Sequence, residues 1–72
     1  MDDGNFTVLA RNLRKIRIHK NLTQRYIAEK LNLDRSTYSY YELGETQPSL
    51  EKLVELSKLL EVSADQLLGL EP

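Results

Sequence analysis

Apolar residues in this chain recur at spacings of three and four in five short runs, each closed by a turn or capping residue. That period belongs to short amphipathic helices, and no stretch alternates as a strand would. Phe6, Leu9, Leu13 and Ile16 make one stripe of a helix over about 7–20. Asn21 tolerates the left-handed turn that follows, and Thr23 caps a second helix over about 23–31, whose inner face is Ile27, Ala28 and Leu31. Asn32 repeats the turn, and Asp34 caps a third helix over about 34–43 that stops at Gly44. Ser49 after Pro48 opens a fourth over about 49–60, with Leu50, Leu53, Val54, Ser57 and Leu60 as its inward stripe. Ser63 to Gln66 has the form of a capping box for a fifth over about 63–69. The expected fold is all-α, a five-helix bundle in a single domain over residues 1–72.

With 72 residues, the chain cannot enclose a substrate-sized pocket and still pack a core around it, so an enzyme is not expected. It has no cysteine and one histidine, His19, which excludes disulfides and thiolate chemistry and leaves no metal or cofactor to expect. No apolar run approaches the roughly 18 residues that span a bilayer. The start, Met1-Asp2-Asp3-Gly4, is acidic where an export signal is basic. A cytoplasmic protein with no membrane contact is expected.

Charge divides the chain in two. From Arg11 to Tyr38 there are eight Lys or Arg against two acidic residues, and from Ser39 onward two against seven. The first segment is a candidate face for a polyanion, although two solvated helical faces of unlike sign explain the charges equally well. The third helix is more informative. At about 100° per residue, Thr37, Tyr38 and Tyr41 share one side, and Arg35, Ser36, Ser39 and Tyr40 share the other. A guanidinium, two hydroxyls and a phenol suit base edges in a major groove; an ordinary solvated face is the alternative.

These runs, Leu13 with Ile16-Arg17, Leu22-Thr23-Gln24, Ile27 to Leu31, Asp34 to Ser39, Glu42 with Gly44, Pro48-Ser49-Leu50, and Leu59 to Gly69, resemble the Cro/repressor-type (XRE) helix-turn-helix family. The resemblance implies a lambda-repressor-like bundle, with the second helix across the DNA backbone and the third in the major groove of double-stranded DNA. It assigns base reading to Arg35, Ser36, Ser39 and Tyr40. Arg35 suits O6 and N7 of guanine, and Tyr40 a thymine methyl or a phosphate. Gln24 is implied as a phosphate anchor that also reaches a base edge, and Arg17 with Glu42 as a structural ion pair. Arg25, Arg14 and Lys15 add sequence-independent attraction, or else form a solvated face.

The sequence also departs from the family pattern. Asn21 and Asn32 stand in place of Gly, and Tyr26 in place of the Glu of a capping box. Leu43 and Glu45 occupy a loop where the family has cationic or amide side chains beside phosphate, leaving backbone amides from Gly44, Thr46 or Gln47. Asp2-Asp3 provides no basic arm. A shallow salt dependence is therefore expected. Leu56, Leu59, Leu67 and Leu70 form a second apolar edge, covered by the fifth helix or used in a homodimer on a pseudo-palindrome with half-sites about 10 base pairs apart. The resulting expectation is a bacterial or phage transcriptional regulator, repressor or activator, associated with the nucleoid. The alternative is an antitoxin-type or other protein-interaction module that binds a partner through the fourth and fifth helices.

Overall fold

The computed structural model describes residues 4–70, with side chains from residue 7 onward. Asp2-Asp3, Glu71 and the side chain of Phe6 lie outside the described residues. Among these residues the chain forms five α-helices and no strand: α1 Gly4–His19, α2 Gln24–Lys30, α3 Arg35–Leu43, α4 Leu50–Leu60 and α5 Ala64–Leu68. α1 therefore starts three residues before the first position its apolar stripe and turn signals suggest.

Local chemistry sets the joints. Thr23 Oγ1 accepts from Tyr26 N at 3.0 Å, Ser49 Oγ from Lys52 N at 3.1 Å and Ser63 Oγ from Gln66 N at 2.9 Å, each satisfying an amide that the first helical turn leaves unpaired. Asp34 holds the corresponding place before α3, but its side chain makes no capping bond. Asn21 and Asn32 adopt φ of 60° and 62°, the left-handed geometry that lets α1 turn into α2 and α2 into α3. Tyr26, which cannot complete a capping box, instead lies under Lys30, whose Nζ is 5.5 Å from the ring centroid.

α1 packs against α3 and α5, α2 against α3, and α4 against α5. The core is Leu9 and Leu13 of α1, Ile27 and Ala28 of α2 with Leu31 at its end, Tyr38 and Tyr41 of α3, and Leu53, Leu56, Leu60 and Leu67. The two tyrosines meet edge to face, their centroids 5.9 Å apart.

α4 corrects the sequence expectation. Its inward stripe is Leu53, Leu56 and Leu60, while Leu50 is 82% exposed and Val54 is exposed as well. The helix is apolar on most of its circumference, so two stripes about 60° apart fit the same residues. Packing against α5 selects the one that carries Leu56. Leu56 and Leu67 are therefore wholly buried core residues and cannot belong to a dimer interface. Leu59 is partly buried against the core, and Leu70 stays exposed.

Two side chains join helix ends from a distance. Asn12 Nδ2 donates to the carbonyls of Leu67 at 3.0 Å and Gln66 at 3.3 Å, closing the C-terminal end of α5. Lys52 Nζ donates to Leu31 O at 2.7 Å and to Glu55 at 3.3 Å, placing a cation at the negative end of α2. The first ties α1 to α5, and the second ties α4 to the end of α2.

Candidate nucleic-acid interface

α2 and α3 are joined by four residues, and one face of α3 points out of the bundle. Tyr38 and Tyr41 turn inward; Arg35, Ser36 and Tyr40 are exposed, and Ser39 is half-buried between them. The four residues singled out from periodicity thus share one outer face. Beside it, an open cleft of about 590 Å³ is lined by Arg17, Leu22, Thr23, Gln24, Arg25 and Arg35. The exposed guanidinium groups of Arg25 and Arg35 at one concavity favour an anion.

A chain of hydrogen bonds fixes the cleft. Arg17 Nε donates to Glu42 Oε2 at 2.6 Å, and its Nη2 to Oε1 at 3.1 Å, a two-point pair joining α1 to α3. Arg17 Nη1 also donates to Leu22 O at 2.9 Å, tying in the turn before α2. Gln24 Nε2 donates to Glu42 Oε1 at 3.1 Å, which turns its amide oxygen toward α3, where it accepts from Arg35 Nη1 at 3.2 Å. Three side chains from three helices, Arg17, Glu42 and Gln24, thereby orient the exposed Arg35 guanidinium. The Arg17–Glu42 pair was legible in the sequence through resemblance. The Gln24 bridge was not, because no local spacing marks a contact made across three helices.

Burial alone would push the Glu42 carboxyl up, but hydrogen bonds from Arg17 and Gln24, the neighbouring Tyr38 hydroxyl and the Arg17 charge together hold it below the ordinary carboxylate range. Burial, and then the Glu42 carboxylate beside it, push the Tyr38 phenol far above its usual value. The Tyr38 hydroxyl is buried and meets no group at hydrogen-bonding geometry, so it acts on Glu42 as a nearby dipole and not through a formed bond.

Because folding lowers the Glu42 pKa, the unfolded chain takes up the proton first. The pair's contribution is complete above the ordinary glutamate value of about 4.3 and is lost as pH falls through the lower folded value. Urea melts from pH 7 to 3 should therefore show stability falling below about pH 4.3, with a flatter acid limb for Glu42→Gln. Equal acid limbs in the two proteins would remove Glu42 from the account.

The loop after α3 differs from expectation. Gly44, at φ 78°, ends the helix; its amide bonds Tyr41 O at 3.2 Å, and the amides of Glu45 and Thr46 bond Tyr40 O at 3.1 and 3.5 Å. These groups close the helix in the manner of a Schellman turn. Gly44 and Thr46 therefore do not offer free amides to a phosphate, which leaves Gln47. Arg25 is exposed at the cleft. Arg14 and Lys15 lie elsewhere, lining a separate depression on α1 with Arg11 and Ile18.

Among the described residues no cluster of His, Cys, Asp or Glu could hold a metal ion, and no helix is long and apolar enough to cross a membrane.

A helix-turn-helix family model matches residues 13–67. The chain is similar to the uncharacterized HTH-type transcriptional regulator YqaE of Bacillus subtilis, 43% identical over 61 residues, covering 85% of this chain and 53% of that protein. It is 42% identical over 59 residues to the HTH-type transcriptional regulator AnsR of the same organism, covering 82% and 51%. The chain thus spans about half the length of these curated relatives. Among solved structures, the restriction-modification controller protein C.AhdI from Aeromonas hydrophila superposes with a TM-score of 0.79 at 29% identity, over 86% of this chain and 94% of that one.

Proposed function

The chain belongs to the XRE-type helix-turn-helix family, and from that premise we propose that it is a sequence-specific DNA-binding transcriptional regulator whose α3 enters the major groove. The observation that carries the reading is the outer face of α3, with the Arg35 guanidinium held by Gln24 at the rim of a cationic cleft. Arg35 reads guanine through O6 and N7; Ser36 and Ser39 are short and discriminate weakly or through water; Tyr40 completes the face. Gln24 and Arg25, at the start of α2, meet the backbone phosphates, with Gln47 after α3.

One such helix contacts only a few base pairs. Two copies on a pseudo-palindrome, with half-sites about 10 base pairs apart, provide the length of sequence a regulator needs. Of the apolar residues considered for that contact, Leu59 and Leu70 keep surface to offer. The protein acts in the cytoplasm, on the nucleoid, without a cofactor.

Selection of a site from random duplex DNA tests this. Wild type should enrich an inverted repeat, and Arg35→Ala should lose about 1–3 kcal/mol of specific affinity and relax one base position. Equal loss on every sequence would make Arg35 a phosphate contact. The exposed Leu50 and Val54 on α4 favour a second reading, a module that binds a protein partner through α4 and α5; it predicts no enriched site.

A further inference from the structure

Leu43 has no role in the polar recognition just described. It is 64% exposed at the end of α3, three residues after Tyr40, which is 45% exposed. Residues three apart on a helix are neighbours, with Cβ atoms about 5–6 Å apart. The phenol ring and the isobutyl group therefore form an apolar corner on the face that carries Arg35, Ser36 and Ser39. The two serines are too short to cover it.

An aliphatic side chain has nothing to offer a phosphate oxygen, and Glu45, two residues on, is exposed and opposes one. In the major groove, the apolar group within reach of such a corner is the C5 methyl of thymine. We propose that Tyr40 and Leu43 together form a thymine-methyl reader. The face of α3 then has a polar half at Arg35, which selects guanine, and an apolar half at Leu43, which selects thymine over cytosine. This inference rests on α3 entering the major groove. It gives Leu43 a specificity contact.

Deoxyuridine in place of thymidine removes the methyl and leaves every base-pair hydrogen bond intact. A uracil scan across the selected site, read by fluorescence anisotropy, should find one thymine per half-site whose replacement lowers wild-type affinity about three- to fivefold. Leu43→Ala, at an exposed position that a thermal melt will show to be folded, should lose a similar factor on the thymine site and bind the thymine and uracil sites equally. Tyr40→Phe should keep the sensitivity. A flat scan in wild type, or sensitivity that survives in Leu43→Ala, overturns the methyl reader while the Arg35 result stands. Failure to enrich any site removes both.

Discussion

Arg17→Ala is expected to lower the unfolding free energy by about 3 kcal/mol or more. Its partner explains the size of the effect. The Glu42 side chain is 3% exposed, so without the guanidinium a carboxylate is left in a buried place with one remaining donor, Gln24 Nε2. Leu22 O loses its donor as well. A chain of this length has only about 4–11 kcal/mol of net stability, so the variant should melt far below wild type. Replacing both partners by apolar residues, Arg17→Met with Glu42→Leu, should restore most of the loss, because no charge is then buried alone. The double-mutant cycle in urea separates the possibilities: a coupling energy near zero would mean two independent charges. The same variant should weaken specific DNA binding even where it is folded, since Glu42 orients Gln24 and Gln24 orients Arg35.

Features set by a few adjacent residues were legible in the sequence. The turns at Asn21 and Asn32, the caps at Thr23, Ser49 and Ser63, and the two faces of α3 all follow from chemistry within one helical turn. The capping bond expected of Asp34 did not form, which shows that a suitable residue type supplies an opportunity and not a bond. Glu61 takes φ of 61° at the end of α4 with no Gly or Asn to announce it. Contacts made by tertiary placement left no sequence signal: Asn12 on the end of α5, Lys52 on the end of α2, and the bridge from Glu42 through Gln24 to Arg35. The loop amides of Gly44 and Thr46 were misjudged for a related reason, because helix closure competes with ligands for the same donors.

For α4, the test is a pair of truncations. Leu56→Ala should lower stability by about 2–5 kcal/mol, the range for deleting a buried leucine and leaving a cavity, whereas Leu50→Ala should stay within about 0.5 kcal/mol. Periodicity alone assigned these residues the other way round, since Leu50, Leu53, Val54 and Leu60 fit a 3.6-residue period as well as Leu53, Leu56 and Leu60 do. Burial decides between them: Leu56 is fully enclosed with Leu60 and Leu67, and Leu50 is 82% exposed. Protein concentration gives a second criterion. A core residue lowers the melting temperature by the same amount at every concentration. An interface residue would leave the monomer folded and shift only the concentration-dependent part of the melt. Melts of Leu56→Ala over a hundredfold range of concentration should therefore show a constant deficit against wild type. A deficit that vanishes at low concentration and grows as concentration rises would return Leu56 to the dimer interface and would require α4 to turn by about 60° about its axis.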